Sequence, residues 1–272
     1  MASKFNGITH TYFTDGYFGW GKLFVESFIH FNDMNRNFLI LSTRNLKQDR
    51  IDELQSLHEK IIIRNKNLKY GEMAKRVGVD KQTLIHWKHT VEKEKVNKEC
   101  KAWKLMIAAE DRLKEIFRVL RKHRPNRLLH VDVDTYVRGD VTPIFDVIDK
   151  NVFTTRWRID KQIKRDGFVK YENRATLISV QGYRGLEAME FLKNWIDIID
   201  EVPPAKRPTG FGQTACYRAY LKLKDKNNFS FGDIGPEFLA PQGFNNAILW
   251  GGNKGEKGKT LKVYLKHFKE NK

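Results

Sequence analysis

The chain has 272 residues, of which 40% are apolar, 12% aromatic and 31% charged, and its formal net charge is +17. This composition can bury a substantial core, which excludes wholesale disorder, and it suits one large α/β domain or two small ones. No apolar run reaches the length of a membrane span, so no stable membrane insertion is expected; the opening MASKFNGITHTYF lacks the apolar core and cleavage site of a signal peptide, and two distant cysteines, Cys100 and Cys216, fit a reducing cytoplasm better than a disulfide scaffold.

In chain order, ITHTYF (8–13) reads as a β-rich run that meets a turn at Asp15 and Gly16. GKLFVESFIHF follows with Leu23, Phe24, Ser27, Phe28 and Phe31 at helical spacing. NFLILST (37–43) predicts a second strand, DRIDELQSLHE an amphipathic helix and KIIIRN (60–65) a third strand. This βαβαβ alternation at short spacing predicts a parallel sheet covered by helices. Residues from about 69 to 122 are charged and helix-rich with few turn formers. Strand character returns at RLLHVDVD and again at NVFTTRWR and RATLISVQ. YRGLEAMEFLKNWIDIID predicts a helix with an apolar stripe through Leu186, Met189, Phe191, Leu192 and Trp195. After the proline-rich loop EVPPAKRPTG, FGQTACYRAYLKL predicts a short helix, and the Gly- and Lys-rich end closes on a further helical stretch. With no internal repeat and no long linker, residues 1–272 are expected to form a single domain carrying a helical insertion at 66–124.

Charge is concentrated. Residues 66–124 carry a net +9 and residues 253–272 a net +5, which leaves +3 for the rest. Such localisation points to a polyanionic partner such as nucleic acid, an acidic polymer or an anionic lipid surface.

Asp132 and Asp134 end the apolar run RLLHV. Residues i and i+2 of a strand point the same way, so two carboxylates are expected to reach one point. There they repel unless a cation or a proton relieves them. Mg²⁺ or Mn²⁺ takes hard oxygen ligands and is readily shared with substrate phosphates. The carboxyl end of a central strand is also where open α/β sheets bind ligands.

Two phosphate-chemistry patterns fit poorly. The haloacid dehalogenase phosphatase motif lies early in its chain and ends in Thr or Val, whereas this pair is mid-chain and Tyr136 fills that slot. Polymerase β-type nucleotidyltransferases need a Gly-Ser turn upstream, and KHRPNRLLH has none.

LLHVDVDTYVRGDVTPIFD instead resembles the Asp-x-Asp segment of GT-A fold nucleotide-sugar glycosyltransferases. ITHTYFTDGYFGWGKLFVESF resembles their first strand and helix, WKLMIAAEDRLKEI the helix before the Asp-x-Asp strand, RATLISVQGYRGLEAMEFLKNW the acceptor-side strand and helix, and GFGQTACYRAY the later segment near the sugar. The fold class implied is α/β: a Rossmann-like, mixed, mostly parallel sheet with helices on both faces. The activity implied is hexosyl or pentosyl transfer from a nucleoside diphosphate sugar, a UDP-sugar foremost, with Mn²⁺ or Mg²⁺ as cofactor. Asp134 would be the direct metal ligand, and Asp132 would share the metal or contact the ribose. Tyr12, Thr14, Asp15 and Tyr17 would hold base and ribose. Lys104 and Arg112, eight residues apart on one helix, would grip the diphosphate or sugar. Lys254 and Lys257, in the Gly-rich GGNKGEKG, would close over the phosphates. Gln213 would contact the sugar or the developing cation.

Two departures from the family pattern stand out. Trp250 occupies the place of a late histidine ligand, which leaves a third ligand to water, and Gly212 stands where an acid is usual. An inverting enzyme also needs a carboxylate base; Asp160, Asp166, Glu172 and Asp233 are the candidates, with Asp233 taken as first choice.

YGEMAKRVGVDKQTLIHWKHTVE (70–92) carries a helix-turn-helix pattern. Ala74, Gly78 and Leu84 fall at its small, turn and apolar positions, and Asp80 is placed to cap the second helix. Lys81, Gln82, Thr83, His86 and Lys88 would then be exposed as in a recognition helix. Joined to a sugar-transferring core, this predicts a DNA glycosyltransferase of the phage type, acting on a hydroxymethylated pyrimidine flipped from the duplex. The alternatives are transfer to a glycan, lipid or protein, and a non-enzymatic DNA-binding protein with an incidental aspartate pair.

Overall fold

The computed structural model describes residues 7–77, 80–82, 85, 98–159, 174–203, 207, 211–241, 247–251 and 257–272. β1 (Ile8–Thr14), β2 (Phe38–Arg44) and β3 (Ile61–Lys66) are rich in β-branched and aromatic residues, which suit a pleated, buried surface. With β4 (Arg127–Val131) they form a parallel half-sheet. β7 (Arg174–Arg184) pairs antiparallel with β4 and with β6 (Phe153–Ile159), and β8 (Phe231–Asp233) runs parallel to β6. The strand order is β3-β2-β1-β4-β7-β6-β8. A three-stranded sheet, β5 (Thr135–Val137), β10 (Leu249–Gly251) and β9 (Leu239–Pro241), begins just past β4.

Helices cover both faces. α1 (Phe18–Phe31), α2 (Gln48–Ser56), α5 (Thr142–Asp149) and the carboxyl-terminal α8 (Lys257–Asn271) supply one core, with Phe24, Leu54, Ile144 and Tyr264 packed on Phe13, Leu39, Leu41 and Val131. α4 (Lys98–His123), α6 (Met189–Asp200) and α7 (Phe211–Leu223) supply the other, where Leu113, Ile116 and Leu120 meet Ile8, Ile40, Leu128, Trp195 and Ala215. The fold is therefore the expected mixed, mostly parallel α/β sheet with helices on both faces. The basic segment is not wholly an appendage: α3 (Tyr70–Val77) begins it, and the second half of α4 is core.

Glycines decide two details. A Cβ on Gly21 would come 2.6 Å from the Phe13 ring, so only glycine lets α1 lie this close to β1. Gly185 has φ +51°, a conformation that favours glycine. It ends β7 and turns the chain through a short 3-10 turn, so α6 starts only at Met189. The single long helix expected from Tyr183 is thus interrupted, and Leu186, placed on its apolar stripe, is 47% exposed.

Candidate active site at the carboxyl ends of the parallel strands

Alternation places one set of β1, β2 and β4 side chains under α4. Deep in the sheet that set is apolar: Ile8, Ile40 and Leu128. One step toward the strand ends it becomes His10, Ser42 and His130, all buried. At the rim it becomes Tyr12, Arg44 and Asp132. The sheet thus runs from oil to charge along its parallel strands and delivers polar groups to the carboxyl edge, where ligands of such sheets bind.

Asp132 is held from two sides. Arg112 of α4 donates from Nη1 to its Oδ1 at 2.6 Å, and His130 Nε2 lies 3.5 Å from the same oxygen. Burial works against its negative charge, but the Arg112 guanidinium and His130 outweigh burial, so the carboxyl titrates below the ordinary range. The two histidines are joined through Nδ1 atoms 2.9 Å apart, and His10 Nε2 lies 2.9 Å from Ser42 Oγ. Burial depresses both pKa values, reinforced at His10 by His130, Arg64 and Arg112; at His130 burial and Arg112 outweigh the opposing pull of Asp132, so both rings are neutral at pH 7.

The strand alternation that motivated the aspartate pair stops at Val131. The Asp132 backbone still donates to Ser179 at 2.7 Å, and the chain then turns at 133–134 into β5. Asp134 lies within electrostatic reach of Tyr264 on α8. The Tyr264 phenol is pushed up to about 12, by burial and then by this negative charge.

Trp250, at the place of the absent late histidine, is buried in β10 opposite Tyr136. It packs on Tyr136, Tyr264 and His267, with the Arg138 guanidinium 3.9 Å above its ring. The site therefore has an aromatic wall on its α8 side. Among the described residues no cluster of three or more His, Cys, Asp or Glu side chains is arranged to hold a metal.

The first strand–helix junction holds the other expected residues. Asp15 is half-buried and paired with Arg50 of α2 at 2.8 Å. Tyr17 packs against the first core, and Thr14 stands opposite Arg44 in register. Tyr12 is buried, its hydroxyl 3.5 Å from Asp111 Oδ2. It belongs to an ionic cluster that the sequence reading missed. Asp111 accepts from Arg44 at 2.8 Å and Arg76 at 2.7 Å, while Glu110 accepts from Arg76, Lys114 and Arg207. The available signal was the adjacent acid pair Glu110–Asp111 within a mostly apolar and basic helix.

Gln213 is half-buried on α7, and Asp233 is exposed at the end of β8, opposite Thr155. Lys81 and Gln82 are helical and exposed, immediately after Asp80. The backbones of Lys104 and Lys257 are helical. Thr83, His86, Lys88, Lys254, Asp160, Asp166 and Glu172 lie outside the described residues.

A mixed sheet whose parallel half ends in a carboxylate, followed by a small second sheet, is the GT-A architecture of glycosyltransferases. An active-site mutant of LgtC shares it at a TM-score of 0.56 and 9% identity over 97% of this chain and 95% of that one. Mouse xyloside xylosyltransferase 1 shares it at 0.51 and 10%, over 90% and 97%. GlyE of Streptococcus pneumoniae TIGR4 does so at 0.56 and 11%, with 96% of this chain spanning 60% of that protein. The bifunctional glycosyltransferase WbbM matches over 98% of this chain and 45% of its own. At these identities the likeness is one of fold. No protein-family profile matches the sequence, and no curated protein matches it.

Proposed function

We propose that the chain is a metal-dependent glycosyltransferase that moves a sugar from a nucleoside diphosphate sugar, UDP-linked foremost, to an acceptor hydroxyl. The observation that supports this reading best is the place of Asp132 and Asp134, at and just after the carboxyl end of β4, in a fold shared with solved glycosyltransferases.

The residues fit a hard divalent cation. Two carboxylates supply oxygen donors, and Asp132 already draws a cationic guanidinium to Oδ1. Asp132 and Asp134 would hold Mn²⁺ or Mg²⁺, with water and donor phosphates as further ligands. When bound, such an ion offsets the negative charge that grows on the leaving diphosphate. Arg112, beside Asp132, is placed to add a second positive charge there. Thr14, Asp15 and Tyr17 line the strand–helix turn assigned to the nucleotide. Gln213 and Asp233 are the described candidates on the sugar and acceptor side.

For the acceptor, the reading favoured by charge is a hydroxymethylated pyrimidine in DNA, because exposed Lys81 and Gln82 stand on the most basic segment. A glycan acceptor is the second reading, and the name of the xyloside xylosyltransferase neighbour favours it.

The test offers a panel of nucleotide sugars with Mn²⁺ to the protein, alone and with plain or hydroxymethylated duplex DNA, and reads products by mass spectrometry. Donor consumption that needs the metal and vanishes in Asp134→Ala is the expected result. No consumption of any donor, or full activity in Asp134→Ala, rejects sugar transfer by this site. Consumption without a DNA product rejects the DNA acceptor alone.

A further inference from the structure

Ser42, His10 and His130 lie on three adjacent strands, are 0–1% exposed, and are joined by contacts of 2.9 Å that lead to within 3.5 Å of Asp132. Nothing in the proposed reaction uses them. Three polar side chains in a sheet interior cost free energy unless their hydrogen bonds are satisfied, so their arrangement calls for an account.

The geometry fixes the direction of the bonds. The two Nδ1 atoms stand 2.9 Å apart, so one of them carries a proton and the other a lone pair; two protons would clash and two lone pairs would repel. If His130 carried that proton in a neutral ring, its Nε2 would present a bare lone pair to the Asp132 carboxylate at 3.5 Å, negative end to negative end. If His10 carries it, no two lone pairs and no two protons face each other along the chain. The Ser42 hydroxyl then donates to His10 Nε2, His10 Nδ1–H donates to His130 Nδ1, and His130 keeps its proton on Nε2, 3.5 Å from Asp132 Oδ1. His130 Nε2 makes no hydrogen bond in this structure, and the carboxylate nearest to it is Asp132, whose Oδ1 lies 3.5 Å away. A doubly protonated His130 would reverse the chain toward Ser42, and assignment of the ring nitrogens distinguishes the two.

We propose that Ser42, His10 and His130 are positioning residues, forming a one-way chain of donors across β2, β1 and β4 that orients the Asp132 carboxylate for its cation. The role rests on the metal reading given above. Arg112 holds Oδ1 from the helix side, and the donor chain approaches the same oxygen from the sheet side. The carboxylate is thereby fixed to the most rigid part of the molecule rather than to the turn that follows it. Outer-shell partners of this kind tune metal affinity by about 10–100-fold.

The test has two readouts. Long-range ¹H–¹⁵N spectra of metal-free protein, assigned with single-histidine variants, report which ring nitrogens are protonated. The expected pattern is His10 neutral and protonated at Nδ1, with His130 neutral and protonated at Nε2. Mn²⁺ affinity, followed by electron paramagnetic resonance without any donor sugar, is expected to fall about 10-fold or more in His130→Leu. It should return toward the wild-type value in His130→Gln, whose amide restores a donor, and fall by a smaller factor in Ser42→Ala. A bare His130 Nε2, an imidazolium at either position, or unchanged Mn²⁺ affinity in both His130→Leu and Ser42→Ala overturns the proposal. If the His130 variants do not fold, the tautomer pattern and Ser42→Ala, which removes one oxygen atom, decide it. Wild-type protein that binds no Mn²⁺ overturns the metal reading and the orienting role together. A bare Nε2 in protein that does bind Mn²⁺ overturns the donor chain and leaves the metal reading standing.

Discussion

At the scale of single residues, backbone strain has a definite address. Arg124 follows α4 with φ +44°, its N–H bonded to Leu120 O at 3.0 Å, and its side chain is exposed. Left-handed backbone costs an L residue roughly 1–2 kcal/mol, whereas glycine adopts it freely and pays only in unfolded-state entropy. Arg124→Gly is therefore expected to stabilise the protein by about 0.5–1 kcal/mol, read as a higher urea midpoint at unchanged slope. A lower midpoint would mean that the arginine side chain, not the cap geometry, matters there. The residue scale is also where the sequence was most and least legible. Asp132 stood out because carboxylates at the end of an apolar run are rare and have few uses. His10 did not, because its partner His130 is 120 positions away and only the β1–β4 register brings the rings together. Arg112 was flagged as a donor-binding cation, and the structure gives it a contact with Asp132 that helical spacing alone does not contain.

At the scale of elements, Glu110 and Asp111 together tie four segments to one another. Its carboxylate accepts from Arg76 of α3, Lys114 of its own helix and Arg207 of the loop before α7, while the neighbouring Asp111 reaches Arg44 at the end of β2. Burial pushes the Glu110 pKa up, but the Lys114 hydrogen bond and the charges of Arg76 and Lys114 prevail, so it ends below the ordinary carboxylate value. A depressed carboxyl pKa contributes stability that is complete above the unfolded value of about 4.3 and is lost as pH falls through the folded value. Glu110→Gln leaves the buried Arg207 guanidinium without its counter-charge, a change expected to cost about 3–5 kcal/mol near neutrality. The variant should also lose less stability than wild type between about pH 5 and pH 3. Chemical denaturation across that range checks both statements; an acid limb as steep as that of wild type would assign the ionisation elsewhere. Legibility at this scale followed length. β1, β2 and β3 were readable because six or seven residues show a clear strand composition. β5, β8, β9 and β10 have three residues each, too few for any period to register. The start of α6 was misplaced because its apolar spacing extends back through a glycine whose positive φ breaks the helix.

At the scale of the whole molecule, positive charge flanks the site from two sides. The basic segment of α3 and α4 belongs to one face of the sheet and α8, with Lys262, Lys266 and Lys269 exposed, to the other. Among the described residues no helix is long and apolar enough to cross a membrane. Both surfaces would attract a polyanion, so net charge alone does not choose between them; a duplex read by the helix after Asp80 would lie on the α3 side. Each phosphate neutralised by a cationic side chain adds about 0.9 to the slope of log affinity against log salt. Duplex binding is thus expected to weaken steeply as salt rises. Lys81→Ala should reduce that slope by about one, while the pair Lys262→Ala and Lys269→Ala should leave it nearly unchanged. Fluorescence anisotropy on a labelled duplex over a salt series measures all three. The opposite pattern would move the nucleic acid to α8, and affinity that barely responds to salt would remove DNA from the acceptor side altogether, leaving an uncharged glycan hydroxyl as the acceptor to pursue.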